Sequence, residues 1–229
     1  MATALITGAN RGIGLELTRV LLGRGAQVIA TAREPGVATA LNALGAGSSG
    51  RLKVVRLDVA DGASFAGFET VIVRRSIDLL IANAGVSGPR GGHDDAGNTA
   101  EAWAKIFAVN VTGAFLTLKA CVPNVAQGGK VAILSSIMAS SSNVSGASYP
   151  YRASKAAVAN IGANLAVELK PRGIAVGVYH PGWVKTDMGG PGAAISPEVS
   201  AAGLVQRFDH LSMATTGVFE DYAGKVIGF

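Results

Sequence analysis

Six short apolar runs, spaced by longer amphipathic stretches, constrain this chain more than any other feature. Ala4-Leu5-Ile6, Val28-Ile29-Ala30, Lys53–Leu57, Ile77–Ile81, Lys130–Leu134 and Ile174–Tyr179 read as strands. Apolar on both faces, such strands need a covering layer on each side, which a parallel sheet wrapped by helices provides. Helices are expected at Gly12–Arg24, Ser64–Arg75 and Tyr151–Lys170, the last closed by Pro171 and Gly173. Another should open at Asn98-x-x-Glu101, with Asn98 as cap, pass through Trp103 and Phe107 towards Val122, and stop at Pro123. The expected architecture is α/β: a doubly wound parallel sheet in a single domain spanning residues 1–229. Segments 85–97, 140–148 and 189–197 are loop-rich and are placed to frame a pocket, because loops at the carboxyl ends of such strands build the binding sites.

Composition narrows the function classes. The 229 residues are 49% hydrophobic and 15% charged, ample for one core, and no composition break marks a second domain. Glycine, at 31 residues, is roughly twice the ordinary usage, which suits many tight turns. The net charge of +5 comes from scattered residues rather than a basic run, so neither a nucleic-acid nor a membrane partner is expected. Cys121 is the only cysteine, so no internal disulfide can form. No basic leader with an apolar stretch opens the sequence, and no uninterrupted apolar run reaches the roughly 20 residues that cross a bilayer. A soluble, cytoplasmic protein without a metal site is the expectation.

The first strand runs straight into Thr7-Gly8-Ala9-Asn10-Arg11-Gly12-Ile13-Gly14, and a helix follows. Glycines there let the backbone turn sharply and approach a pyrophosphate at the positive end of the helix. About 20 residues on, sites for NAD place an acidic residue, whereas this chain has Thr31-Ala32-Arg33. Arg33 and Arg11 are suited to clamp a 2′-phosphate, which favours NADP(H). Further along, Tyr151 and Lys155 lie four residues apart on an expected helix, so phenol and ammonium share one face. A cation beside a phenol stabilises its phenolate and makes proton exchange useful near neutrality.

Together these segments resemble the single-domain branch of the short-chain dehydrogenase/reductase family, which implies a Rossmann-type fold. Thr7-Gly8-x-x-x-Gly12-x-Gly14, Asn83-Ala84-Gly85, Asn110, Ser136 with Tyr151 and Lys155, and Pro181-Gly182 with Thr186 carry the resemblance in order. Tyr149–Lys155, His180–Gly190 and Gly217-Val218-Phe219 are similar to the C-factor-like (sniffer-type) carbonyl reductase group. The resemblance implies Tyr151 as proton donor to a carbonyl oxygen, Lys155 as holder of the nicotinamide ribose, Ser136 on the substrate oxygen, and Asn110 positioning a water. It implies cofactor contacts from Gly8, Asn10, Arg11, Gly12, Ile13, Gly14, Arg33, Asp58, Val59, Asn83, Ala84, Gly85, Pro181, Gly182, Val184 and Thr186, with Tyr151 and Lys155. Asp58 would touch the adenine.

Ser136 precedes Tyr151 by 15 residues where many relatives show about 13, so Ser135 and Ser140 stay open as the partner, with Ser136 preferred. Trp183 and Met188 either line the pocket or pack a mobile cover expected over about 187–208. His180 reads as a buried or rim histidine, and Asp94 and Asp95 as a solvated loop. Trp103, Phe107 and Phe115 read as packing on the sheet or on a second subunit. The preferred function is NADPH-dependent reduction of a small ketone or aldehyde. An NADP-dependent alcohol or steroid dehydrogenase is the alternative, as is a dinucleotide-binding signalling or regulatory protein of the C-factor type. A homodimer through the long helices is expected.

Overall fold

The computed structural model describes residues 2–73 and 75–229. Its elements run in order as β1 (Thr3–Ile6), α1 (Gly12–Gly23), β2 (Gln27–Ala32), α2 (Thr39–Ala46), β3 (Leu52–Arg56), α3 (Ser64–Ile72) and β4 (Ile77–Ala82). Then come α4 (Ala100–Phe107), a π-helical turn (Ala108–Gly113), α5 (Ala114–Cys121) and β5 (Val125–Leu134). The chain closes with α6 (Tyr149–Leu169), β6 (Ala175–His180), α7 (Pro197–His210) and β7 (Phe219–Asp221). Among the described residues the sheet has seven strands in the order β3-β2-β1-β4-β5-β6-β7, every neighbouring pair parallel. The order in which strands are added reverses between β1 and β4, and that switch point is where such sheets open a cleft.

The period of two along each strand explains the double layer. Leu5, Leu80, Val131 and Ile133 face one apolar cluster with Phe65, Phe68 and Leu118, on the side of α3, α5 and α6. Ile6, Ile81, Ala132 and Leu134 face the other, with Leu17, Leu21, Leu204 and Phe208 on the side of α1 and α7. Each face therefore buries its own set of side chains, as the apolar runs require.

Several elements differ from expectation. The helix expected from Asn98 is capped by Thr99, whose hydroxyl accepts from the Ala102 N–H at 3.2 Å, while Asn98 Nδ2 donates instead to Gly92 O at 2.7 Å. Thr99 wins because it sits directly before the first helical turn in extended backbone. That helix runs on through a π-turn at 108–113 and closes in a 3₁₀ turn at Val122–Asn124, where Pro123 was expected to stop it. The helix expected to reach Arg75 ends at Ile72, and residue 74 lies outside the described residues. α2, α7 and β7 were not expected; β7 is three residues long, too short to register as a run.

The helix Ala100–Asn124 holds an 18-residue window of mean hydropathy 1.5, long and apolar enough to cross a membrane by length and composition, although Lys105, Asn110 and Lys119 keep it from being an uninterrupted apolar run. Here Ile106, Asn110, Leu118 and Cys121 are buried and the helix packs against α3 and α6, so it serves as a core helix of this domain. The expected cover at 187–208 divides in two. Residues 197–210 form α7, whose Ser200, Ala201, Leu204, Val205 and Phe208 are buried and which packs along α1. Only 187–195 remains a surface segment.

Candidate active site

Two loops at the carboxyl side of the sheet meet a third, and each positions a different part of the site. The first is the turn between β1 and α1. Gly8 (φ +66°) and Gly12 (φ +54°) take left-handed backbone that other residues adopt only under strain. At Gly14 an added Cβ would collide with Gly8 O and Asn83 Nδ2, so the turn closes on itself. Asn83 Nδ2 donates to Thr7 O (2.8 Å) and Gly8 O (3.0 Å), and Thr7 Oγ1 accepts from the Asn83 and Ala84 N–H groups (3.1 and 3.2 Å). Asn83-Ala84-Gly85 thus braces the turn from the end of β4. Arg11 precedes α1 without a side-chain cap, which leaves the first N–H groups of that helix directed at the turn. A cradle of backbone N–H groups with no room for a Cβ fits a pyrophosphate.

Around this cradle, Arg33 is exposed just beyond β2. Asp58 is half-buried beyond β3, where its Oδ1 accepts from the Ala60 N–H (3.0 Å) and its own N–H donates to Ser64 Oγ (2.9 Å). Val59 is buried against Gly113 of the π-turn. Asn10 is exposed and Ile13 half-buried at the head of α1, packed on the cluster beneath it.

The second part lies between the end of β5 and α6. Lys155 is buried, and its Nζ donates to Leu134 O at 2.9 Å and sits 5.8 Å from the centroid of the Tyr151 ring. Burial pulls this ammonium down to about 8, since a charge out of water favours its neutral form. Burial pushes the Tyr151 phenol up to about 12, and the neighbouring Ser136 hydroxyl opposes that rise. Of the three serines left open, Ser136 is the one that meets Tyr151. Ser135 Oγ is turned into the helix, donating to Lys155 O at 2.8 Å, and Ser140 Oγ accepts from the Ser142 N–H at 3.3 Å. A 3₁₀ turn at Ile137–Ala139, capped by Ser136 Oγ on the Met138 N–H (3.1 Å), takes up part of the longer spacing.

Asn110 sits in the π-turn, a distortion common at functional sites. Its Oδ1 accepts from the Val86 N–H (2.8 Å), and its Nδ2 donates to Val86 O (2.9 Å) and Ser154 Oγ (3.0 Å). Ser154 Oγ in turn donates to Tyr151 O at 2.8 Å, which ties the π-turn to the turn of helix carrying Tyr151 and Lys155. The sequence reading missed Ser154: a serine inside a helix carries no signal until its partner is known. Gly85 lets the group close up, because a Cβ there would stand 3.3 Å from Asn110 Oδ1 and 3.5 Å from Lys155 Nζ.

The third part follows β6. Pro181 and Gly182 (φ +85°) turn the chain, Val184 is buried, and Thr186 rests its methyl against Gly12. Trp183 is 57% exposed and Met188 36% exposed at the rim. Arg11 Nη1 pairs with Asp187 Oδ2 at 2.6 Å with both side chains mostly in solvent, so the pair adds under about 1 kcal/mol to stability. His180 ends β6 with its Nδ1 buried and unpartnered, and burial lowers it to about 4, so it stays neutral. Among the described residues no cluster of His, Cys, Asp or Glu could hold a metal ion. Asp95 organises its loop, accepting from the Gly91 and Gly97 N–H groups at 2.8 Å each.

The profile for short chain dehydrogenase matches residues 2–194. The chain belongs to the short chain dehydrogenase family. Within that family it is 36% identical over 166 residues to the C-signal protein of Myxococcus xanthus, covering 70% of this chain and 97% of that one. It superimposes on a carbonyl reductase from Pseudomonas aeruginosa PAO1 in complex with NADP at a TM-score of 0.87 and 35% identity, covering all of both chains. It superimposes on the carbonyl reductase Sniffer of D. melanogaster at 0.91 and 27% identity, again over the whole of both. The chain is thus an oxidoreductase of this family in the C-factor and sniffer-like group, with the single-domain Rossmann-type sheet its strands imply.

Proposed function

We propose that this protein reduces a ketone or aldehyde with NADPH. The observation that carries the reading is the corner where Ser136, Tyr151 and the buried Lys155 converge beside the glycine turn. The cradle between β1 and α1 would seat the pyrophosphate, Arg33 and Arg11 the 2′-phosphate, and Asp58 the adenine. Val184 and Thr186 would flank the nicotinamide end. When bound, NADPH supplies the hydride that reaches the carbonyl carbon.

The protein supplies the rest. Ser136 donates to the carbonyl oxygen and holds it against the Tyr151 hydroxyl, so charge that develops there is met by two fixed donors. Tyr151 releases its proton to that oxygen as the alcohol forms. A phenol held near 12 is reluctant to ionise, and the Lys155 ammonium nearby makes the resulting phenolate less costly. Asn110, locked to Ser154 and Val86, keeps the π-turn against this group and positions water between Lys155 and solvent. The bound NADP of the Pseudomonas aeruginosa relative and the basic end of β2 both support the phosphorylated cofactor.

The test follows NADPH and NADH absorbance with diketones, aromatic aldehydes, quinones and steroids, with wild type beside Tyr151→Phe. Turnover with NADPH that disappears in the variant supports the reading. Tight NADPH binding without turnover across the panel supports instead a regulator, a role suggested by similarity to the C-signal protein. Pairing of two copies is supported by the exposed Phe115 beside a groove lined by Leu118, Ile161 and Leu165 of α5 and α6. Light scattering of the purified protein tests it.

A further inference from the structure

The chain between Ser136 and Tyr151 has little of its own to hold it in place. Five of the nine residues from 140 to 148 are serine, and Val144 is exposed. Such a loop loses much backbone freedom on ordering and gains little burial in return. One guanidinium organises it. Arg152, half-buried in the first turn of α6, donates from Nη1 to Met138 O at 3.3 Å and to Asn143 O, and from Nη2 to Ser145 Oγ at 2.7 Å. Among the described residues no carboxylate pairs with Arg152, and its buried Nε meets no acceptor. Every bond that this side chain makes therefore goes to residues 138–145, and each is charge-assisted. The turn at 137–139 is held otherwise only on its apolar side, where Ile137 and Ala139 pack against Ala159, Val178, Phe219 and Ile227.

Two routes lead from this guanidinium to the Ser136 hydroxyl. In the first, Asn143, gripped at its carbonyl, donates from Nδ2 to Ile137 O at 3.3 Å. The peptide joining Ile137 to Met138 is planar, so fixing its oxygen also fixes the N–H on its opposite edge. That N–H is the one Ser136 Oγ accepts, at 3.1 Å. In the second, Arg152 holds Met138 from its other side, at the carbonyl. A serine hydroxyl has one hydrogen and two lone pairs. With one lone pair taken by Met138 N–H, its hydrogen is left for the cleft. Resting on the reading that Ser136 bonds the substrate oxygen, we propose that Arg152 is a positioning residue for Ser136: it immobilises the 137–138 peptide and so aims the Ser136 hydroxyl. Arginine suits the task because its planar fork meets Met138 O, Asn143 O and Ser145 Oγ together, whereas a lysine offers a single point of charge.

Hydrogen exchange read by mass spectrometry, without cofactor, tests the hold on the turn. In Arg152→Met, which keeps the apolar stem and removes the donors, peptides covering 137–148 should exchange about tenfold faster, with β5 and the rest of α6 within about twofold. Arg152→Lys should fall between that variant and wild type. Asn143→Ala cuts the first route and leaves α6 untouched, so it should speed exchange over the same peptides about threefold. Unchanged exchange there in Arg152→Met, or in Asn143→Ala should the first variant not fold, overturns the proposal. A double-mutant cycle tests the link to Ser136. Arg152→Met should lower kcat about tenfold, with KM and the Kd for NADPH within about twofold. In a Ser136→Ala background the same change should lower kcat by less than about twofold, because the group it positions is gone. A full tenfold loss in that background, or a Kd for NADPH that rises with the loss, overturns the role of Arg152. A wild type that turns over no carbonyl compound would defeat the proposed reductase, while the exchange result still decides whether Arg152 fixes the turn that holds Ser136.

Discussion

The glycine turn and the Tyr151 corner face the same cleft, yet they are built on opposite principles. In the turn, the groups offered to a ligand are main-chain N–H groups, and side chains are nearly absent: Gly8, Gly12 and Gly14 leave no Cβ in the way. In the corner, every group offered is a side chain whose properties are set by burial, with Lys155 pulled down to about 8 and Tyr151 pushed up to about 12. A main-chain site is fixed by shape, so it should tolerate no added atom. A side-chain site is fixed by chemistry, so it should tolerate shape changes and fail when one functional atom is lost.

Removing one oxygen from the corner is the strongest way to break that contrast. Tyr151→Phe should lower kcat by about 10²- to 10⁴-fold, the usual worth of a positioned proton donor, while titration of NADPH fluorescence shows binding within a few-fold of wild type. Adding one carbon to the turn should do the reverse. Gly14→Ala forces a Cβ onto Gly8 O and the Asn83 amide, so the Kd for NADPH should rise about 10- to 100-fold at little cost in kcat at saturation. If kcat collapses instead at saturating cofactor, the turn and the corner are not separable.

Two smaller effects sharpen the comparison. Arg33→Ala should weaken NADPH about tenfold and leave NADH within twofold, since one charge-assisted contact to a phosphate is lost. Equal losses for both would show that Arg33 does not read the 2′-phosphate. The pH profile addresses the corner. In the proposed mechanism Lys155 acts as an ammonium, and burial lowers it to about 8, so that form is present below that value and is lost above it. Accordingly kcat/KM for reduction should be flat up to about pH 8 and fall up to tenfold per unit beyond, and Lys155→Arg should move that limb to higher pH.

The parts legible in the sequence differ from the rest for physical reasons. Buried strands such as Leu5-Ile6 and Val131–Leu134 announce themselves because both faces must be apolar, and β1, β2, β4, β5 and β6 follow from that, whereas β3 lies at the sheet edge with Lys53 and Arg56 exposed. The mobile cover expected over 187–208 rests on the small residues Gly189, Gly190, Gly192, Ala193 and Ala194, and nothing in that composition announces that the chain beyond them forms α7, where Leu204 and Phe208 pack on α1 and Tyr179; the Tyr179 and Phe208 rings lie 5.0 Å apart. Thr99 displaced Asn98 as a cap because the two are one residue apart and the neighbouring loop occupies Asn98.

What the sequence determined by itself was local: the glycine turn, the sharing of one helix face by Tyr151 and Lys155, and the run of apolar strands. Spacing of that kind is dictated by the helix and strand periods, which need no knowledge of distant residues. The tertiary structure decided everything that depends on which strands become neighbours. It turned Ser135 towards Lys155 O and left Ser136 to Tyr151, linked Asn110 to Ser154 across 44 residues, and brought Arg11 to Asp187 across 176. The sheet order sets those pairings, and burial behind that sheet, not the identity of the lysine, sets the acidity of Lys155.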